Sequence, residues 1–439
     1  MAVSDDTIYA LSSGGLPSGV AVIRLSGSSA FSACATIAGN IPPPRFARLM
    51  KLVDGDGGTI DQALVLSFPG PASFTGEDCI EFHLHGGRAV VNHMQNCLSM
   101  LPGLRHAEAG EFTRRAFENG KIDLVEAEGL SDMIAAETEM QRRLALEQAE
   151  GHHSALYNGW ADRLIHARAM IEAELDFADE DDVPGSLSAE IWQDVEMLAA
   201  ALHQHLAGSR IGEIVRDGFK VVLTGAPNAG KSSLLNALAK RDIAIVTDIA
   251  GTTRDSIEVD LDIGGYAVRL FDTAGLRETE DIVEQEGVRR AEALRDGADL
   301  VLALVAADQT GPVIEPSEGV LRILTKSDLR NEADQAEDFD LVLSVHSGDG
   351  LPQLVERIAT RLDAAVSGSS LSVPVRQRQI EFLQQAESHI GEALRLQHAS
   401  PEIPAESLRR AADSLGRITG RVDVEDLLGV IFSSFCVGK

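Results

Sequence analysis

Aromatic residues are scarce in this chain, at 4% of 439 positions. Cysteine is scarcer. Cys34, Cys79, Cys97 and Cys436 are scattered and form no C-x-x-C pair, which argues against a zinc site or a disulfide framework. No apolar run is long enough to cross a bilayer, so no membrane association is expected. The opening Met1-Ala2-Val3-Ser4-Asp5-Asp6 lacks the basic and apolar stretches of a signal peptide, and a cytoplasmic location is expected. Positive charge is short as well: 38 Lys and Arg stand against 68 Asp and Glu, a formal net charge of −30. Such a surface repels phosphate backbones, so a nucleic-acid substrate would need a basic patch or a basic partner protein to bring it in. The run Asp179-Glu180-Asp181-Asp182 reads as a solvated loop rather than a metal site. No internal repeat is visible.

The length is enough for two to four domains, and the 44% hydrophobic content fits a globular chain. Residues 1–118 read as mixed α/β. Strand-like runs are Gly19–Leu25, Ala63–Phe68 and the alternating Ile80-Glu81-Phe82-His83-Leu84-His85. Residues 119–213 are rich in Ala, Glu, Leu and Arg at helical spacing, as in Leu124, Ala127, Leu130 and Ile134, and in Leu164, Met170 and Leu175. Residues 214–368 alternate strand and helix as a parallel α/β nucleotide domain does. Ser367-Gly368-Ser369-Ser370 is a linker. Helices are expected again at 377–397 and 405–435 within 369–439. The expected fold class is thus multidomain α/β plus all-α, with the nucleotide domain inserted into a helical domain built from two chain segments.

Gly225-Ala226-Pro227-Asn228-Ala229-Gly230-Lys231-Ser232 fits the phosphate-binding pattern G-x-x-x-x-G-K-[ST], between an apolar strand and a helix-forming run. Asn228, Ala229, Gly230, Lys231, Ser232 and Ser233 would surround the phosphates. Lys231 neutralises their charge and Ser232 ligates Mg²⁺. Thr325-Lys326-Ser327-Asp328 has the form [NT]-K-x-D. Its Asp accepts two hydrogen bonds from guanine, whereas adenine has no matching donor pair. In an arbitrary chain these four residues would make a helix N-cap or a surface turn; after a phosphate loop they indicate GTP. Lys326 has a stem that can lie over the base, and Ser344-Val345 is placed to offer a backbone N–H to the guanine oxygen. In Asp272-Thr273-Ala274-Gly275, Asp272 can hold a Mg²⁺-bound water, and the Gly275 N–H can sense the γ-phosphate. The segment Thr247 to Asp255 is a natural switch loop in which Thr247, Thr252 and Thr253 are candidate nucleotide contacts, Thr253 as a Mg²⁺ ligand. Leu276 stands where regulatory GTPases have a water-orienting glutamine, so another group must place the water. Arg254 and Arg277 are available but equally serve as surface charges.

The chain resembles the MnmE (TrmE) family of tRNA-modification GTPases along nearly its whole length. The resemblance is carried by Gly19–Gly27, Ser73-Phe74-Thr75-Gly76-Glu77-Asp78, His85-Gly86-Gly87, Gly110–Phe117, Asn119–Leu124, Gly251–Asp255, Asp272–Glu278 and the closing Cys436-Val437-Gly438-Lys439. It departs from the family at Thr325, where Asn is usual, and at Gly14–Ser18, where Arg-Gly is frequent. The resemblance implies an inserted Ras-like P-loop GTPase domain stimulated by K⁺ in place of an arginine finger. Asn228, Thr247, Ile249 and Thr252 would be the K⁺ ligands, and the G domains of two subunits would pair. It implies Glu284 as the water-orienting catalytic residue, beside Lys231 and Gly275; by spacing alone Glu284 is one acid among several. It implies an N-terminal folate-binding-like dimerisation domain. There Arg24, Glu81, Lys121 and Lys439 would contact 5-formyl- or 5,10-methylene-tetrahydrofolate, the alternative for Arg24 and Glu81 being a structural salt bridge. Cys436 is either a reactive thiol or a small buried residue. The implied activity is GTP hydrolysis driving C5 carboxymethylaminomethyl or aminomethyl modification of the tRNA wobble uridine. The implied partner is an FAD-dependent MnmG (GidA)-type protein, forming a heterotetramer or larger and providing the main tRNA surface. The alternatives are a ribosome-assembly GTPase and a regulatory binding switch with negligible turnover.

Overall fold

The computed structural model describes residues 6–176, 187–241, 243–245, 258–272, 294–309, 317, 319–329, 338–367, 371–422, 428, 429, 431, 432, 435 and 438. Its compact units are interleaved in sequence. One comprises Met1–Ser131, Ser154–Gly159 and Leu415–Lys439; the other comprises Asp132–His153 and Trp160–Ser414.

The first unit opens with strands β1 (Thr7–Leu11), β2 (Ser18–Ser26), β3 (Arg48–Val53), β4 (Thr59–Phe68), β5 (Cys79–Gly86) and β6 (Leu104–His106). Among the described residues they form a six-stranded sheet in the order β3-β4-β5-β2-β1-β6. Neighbours are antiparallel except β1 and β6, which are parallel. Strand alternation decides which face is covered. Ala21, Ile23, Leu25, Ala63, Val65, Ile80, Phe82 and Leu84 point to one side, where helices α1 (Ala30–Ala38) and α2 (Arg88–Ser99) bury them. Arg24 and Glu81 sit opposite one another on the other side. Helix α3 (Glu111–Glu118) covers part of that side, with Phe112 against Ile8 and Ala10 of β1.

Helices α4 (Leu124–Ala135), α5 (Glu139–Ala149), α6 (His152–Asp176), α7 (Leu187–Ala207) and α8 (Ser209–Asp217) follow. A capping box, Thr138 with Gln141, starts α5. The buried stripe of α6 runs through Tyr157, Trp160, Ala161, Leu164, Ala167 and Ile171, at helical spacing. It keeps Leu164 of the expected stripe, whereas Met170 is only half-buried. Ile134 of α4 is exposed. Helix α8 runs through the expected boundary at 213 and ends at Asp217, before Gly218.

The second sheet is built from β7 (Phe219–Gly225), β8 (Glu258–Ile263), β9 (Tyr266–Asp272), β10 (Leu300–Ala306), β11 (Val320–Thr325) and β12 (Leu341–Val342). Among the described residues its order is β12-β11-β10-β7-β9-β8, parallel except for the β8–β9 hairpin. Helices α9 (Lys231–Ala239) and α10 (Leu351–Val366) pack on it through Leu234, Leu235, Leu238, Leu354, Ile358 and Leu362. This is a Ras-like α/β domain, and helical elements stand on both sides of it in the chain. Helices α11 (Gln377–Arg395) and α12 (Glu402–Thr419) follow it. The expected helix over 405–435 is interrupted: it leaves helical form at Gly420, and Leu428, Gly429, Ile431 and Phe432 are helical again. Gly420, at φ +86°, turns the chain beside Phe117 and Leu124, where a Cβ would lie 2.8 Å from the Phe117 ring.

Candidate functional site

Strand β7 lies between β9 and β10, and Val221, Val222 and Leu223 are all buried, as expected for a central parallel strand. It delivers the phosphate loop to the sheet's carboxyl end, where α/β proteins bind ligands. Gly225 takes φ +150° against β10, where a Cβ would stand 2.4 Å from the Leu304 carbonyl. Gly230 takes φ +93° and is the N-cap of α9, so the first-turn N–H groups of Lys231, Ser232 and Ser233 are presented without a side-chain cap. Asn228 is left-handed at φ +62°, a conformation that Asn tolerates better than other side-chain-bearing residues.

The Lys231 side chain is buried inside the loop, its Nζ donating to the carbonyls of Gly225 at 2.9 Å and Ala226 at 3.0 Å. Asp272, buried at the end of β9, accepts a hydrogen bond from the Ser232 hydroxyl at 3.0 Å. These two hard oxygen donors fit Mg²⁺.

The base-recognition motif lies at the end of β11. Thr325 is buried, and its hydroxyl donates to the Ala229 carbonyl at 2.6 Å, tying the motif to the phosphate loop; the Val305 carbonyl stands 3.2 Å away. Lys326 is left-handed at φ +55° and is held by an ion pair with Asp308 at 3.0 Å. The Ser344 hydroxyl donates to Asp328 Oδ1 at 2.5 Å and holds its carboxyl below the usual range, so it is ionised and aimed. The Ser344 N–H donates to Asp349. Of the expected pair Ser344-Val345, the Ser344 amide is thus already engaged, while its side chain orients Asp328.

Sequence reasoning missed the Asp308-Gln309 pair. Asp308 braces Lys326, and Gln309 Nε2 donates to the Pro227 carbonyl at 3.3 Å, next to Asn228. One signal was present: the pair directly follows an apolar parallel strand, at the sheet end where ligands bind. Thr247, Ile249, Thr252, Thr253, Gly275, Leu276, Glu284, Cys436 and Lys439 lie outside the described residues.

In the first unit, Arg24 and Glu81 form an ion pair, with Nη2 to Oε1 at 2.9 Å. The guanidinium lies 5.7 Å from the Phe74 ring centroid and 5.8 Å from that of Phe112. The second Glu81 oxygen faces His83 Nε2 at 3.2 Å. Lys121 lies against the 70–78 loop, its Nζ donating to the Pro71 carbonyl at 2.9 Å and its stem beside Gly76. The loop is pinned from below. Ser26 donates to Glu77 at 2.6 Å, and buried Arg115 reaches Glu77 at 3.2 Å, Asp6 at 2.7 Å and Glu111 at 3.1 Å. Motifs distant in sequence thus meet in one charged, closely paired network.

A cavity of about 330 Å³ is lined by Asp132, Gln141, Leu144, Arg216 and Arg269 among others. Arg216 precedes β7, and Arg269 is three residues before Asp272, so the cavity lies toward the opposite end of these strands.

Two family models cover the chain. The MnmE helical domain matches residues 124–436, and the GTP-binding protein TrmE N-terminus matches 7–121. The tRNA modification GTPase MnmE of Rhizobium meliloti (strain 1021) is 55% identical over 442 residues, covering 100% of both chains. The chain belongs to the MnmE family of tRNA modification GTPases. The protein of the same name from Sinorhizobium medicae (strain WSM419) is also 55% identical, over 99% of each chain. Among solved structures, the G domain of the T. maritima FeoB iron transporter is 28% identical, with a TM-score of 0.25, over 33% of this chain and 98% of its own. The MnmE helical match brackets the second sheet because helical segments precede and follow the G domain. Among the described residues, no helix is long and apolar enough to cross a membrane.

Proposed function

We propose that this MnmE-family GTPase hydrolyses GTP in a K⁺-stimulated reaction. Its turnover would drive C5 carboxymethylaminomethyl or aminomethyl modification of the tRNA wobble uridine. The observation that carries the reading is the joined nucleotide site: the Gly225–Ser232 loop tied by Thr325 to a base rim where Ser344 aims Asp328. Lys231 and the first turn of α9 hold the phosphates, and Asp328 selects guanine. Mg²⁺ held at Ser232 would offset charge on the phosphate oxygens; Thr253 is its other proposed ligand. Asn228, whose left-handed backbone places an amide at the loop's corner, supports the K⁺ reading, with Thr247, Ile249 and Thr252 completing the proposed set. Glu284 is the proposed water-positioning residue, and Gly275 the γ-phosphate sensor.

A reduced folate, of the 5-formyl or 5,10-methylene type, is proposed at the open side of the first sheet. Glu81 offers a carboxylate for a pterin edge, and Phe74 is a partly exposed aromatic beside it. Arg24, Lys121 and Lys439 are the proposed cationic contacts, and Cys436 a candidate thiol. Val20, Leu49 and Leu64 leave apolar surface exposed on the same sheet, which supports a homodimer. The net charge of −30 supports an FAD-dependent MnmG-type partner as the main tRNA surface. The site of action would be the cytoplasm.

GTP turnover measured in KCl and in NaCl tests the mechanism. We expect about tenfold or more stimulation by K⁺. Equal, slow rates would remove the K⁺ mechanism, and full hydrolysis by Glu284→Ala would show that the water is placed elsewhere. Loss of the wobble-uridine modification in a strain lacking this chain tests the biological role.

A further inference from the structure

Between Leu304 and Gln309, the end of β10 touches the phosphate loop first and last, and the base motif in between. The Leu304 carbonyl stands where a side chain on Gly225 would be. The Ala307 N–H donates to the Thr325 carbonyl at 2.9 Å, and Asp308 pairs with Lys326. Gln309 Nε2 donates to the Pro227 carbonyl at 3.3 Å. The Gln309 N–H donates to the Ala306 carbonyl at 3.0 Å and closes the turn. Asp308 and Gln309 are both exposed, so neither is needed to complete a core.

The contact at Pro227 bears on Asn228. The Ala229 N–H donates to the Ala226 carbonyl at 3.1 Å, which makes residues 226–229 a β-turn with Pro227 and Asn228 at its centre. Asn228 is at φ +62°, whereas proline holds φ near −65°. A positive φ at the second central residue alone is the mark of a type II turn. A type I turn of the same residues would flip the peptide unit between Pro227 and Asn228 and return Asn228 to negative φ. Proline suits the first central position of both turns and does not choose between them. The Pro227 carbonyl and the Asn228 N–H belong to that one planar unit, so a donor that holds the carbonyl does choose.

We propose that Gln309 is a positioning residue for the K⁺ corner of the phosphate loop. Its hold on the Pro227 carbonyl keeps the 226–229 turn in the form that places Asn228. The K⁺ part rests on the K⁺ reading; the hold on the turn does not. Asp308, the adjacent residue, serves the base side through Lys326, so the two side chains have separable effects.

The test uses the full chain and the variants Gln309→Met and Asp308→Asn. Gln309→Met keeps the length of the side chain and removes the donor. Amide hydrogen exchange of a peptide covering 225–233, in the GDP-bound chain, reads the hold on the turn. GTP turnover against KCl, with NaCl keeping total salt constant, gives the K⁺ concentration for half-stimulation. Gln309→Met should speed exchange and raise that concentration by about three- to tenfold, with GDP affinity in NaCl within about twofold. Asp308→Asn should weaken GDP affinity by about two- to fivefold and leave the K⁺ value within about twofold. Unchanged exchange in Gln309→Met would overturn the hold on the turn. Faster exchange with an unaltered K⁺ value would overturn the positioning role. An equal rise of the K⁺ value in Asp308→Asn would overturn it too, by assigning the effect to a general loosening of the site. If the unaltered chain turns over equally in KCl and NaCl, the K⁺ reading fails and the positioning role with it, while exchange still decides the hold.

Discussion

Thr325 has one hydroxyl proton and two carbonyls within reach, those of Ala229 and Val305. The shorter contact joins the base-recognition strand to the phosphate loop. Thr325→Val keeps the shape and removes the donor, leaving a buried carbonyl unpaired at a cost of about 1–3 kcal/mol. GDP affinity should then fall by about tenfold, and Thr325→Ser should stay close to the unaltered protein. Equal affinity for all three, measured by fluorescent-nucleotide titration, would show that the tie is idle. This residue illustrates what a sequence pattern can convey. Thr325, Lys326 and Asp328 were identifiable because their chemistry is set by the nucleotide and repeats wherever guanine is bound. Asp308 and Gln309 were not selected, because their partners lie 18 and 82 positions away and only the fold brings them together. The hydrogen bond from the Ser344 hydroxyl to Asp328 was likewise not legible, because it joins residues 16 positions apart.

At the scale of elements, apolar runs bounded by glycine gave the strands, because a central parallel strand is buried on both faces and leaves little ambiguity. The helical span expected over 405–435 is broken rather than continuous. Its amphipathic pattern continues past Gly420, but the missing Cβ there lets the chain turn against Phe117. Elsewhere, two helices clamp the return from the G domain. His153 of α6 and His205 of α7 are buried beside the backbone of Leu371 and Ser372, with Trp160 edge-on to His205 at 5.3 Å. Burial lowers both histidines to about 4, and each also feels a neighbouring histidine, His152 for His153 and His153 for His205. The unfolded chain, with histidines near 6.5, binds more protons between those values, so stability rises with pH through this window. It should be complete above about pH 6.5 and be lost progressively toward pH 4, by on the order of 3 kcal/mol per histidine. Melting temperatures measured from pH 7 to 4.5 check this; the decline should shrink in a His153→Asn/His205→Asn variant, and an identical decline would assign it to other groups. Leu144 of α5 tests a different junction. It packs with Val215 and Val375, near Tyr266 at the β8–β9 turn, where the Met140 N–H donates to the Gly265 carbonyl at 3.0 Å. Leu144→Ala should lower stability by about 2–4 kcal/mol in urea unfolding while leaving GDP affinity within about twofold.

For the whole molecule, charge was readable at once and bears on tRNA. A chain of net charge −30 should bind tRNA alone no tighter than about 1 μM at moderate salt. Tight binding with a steep salt dependence would move the main docking surface onto this chain. The interleaving of the units was not readable. Residues 154–159, within the continuous helix α6, belong to the first unit, although nothing in the local pattern distinguishes them from their neighbours. Long-range packing decides such membership, and a periodic sequence records only that a face is apolar.

The hydrogen bond from the Ser12 hydroxyl to the Gly438 carbonyl, at 2.8 Å, sets an order of events during synthesis. At about 5–20 residues per second, the ribosome adds Gly438 roughly 20–90 s after Ser12. The strands of the first sheet have all emerged long before then, whereas Leu124 and Ala127 still lack Leu428, Phe432 and Phe435 to cover them. The nucleotide domain, whose strands and helices are contiguous from Phe219 to Val366, can close in the interval. The first part of the chain to be made is therefore among the last to be finished. A nascent chain stalled before residue 428 should carry a competent GTP site beside an N-terminal unit that proteases still cut near Leu124.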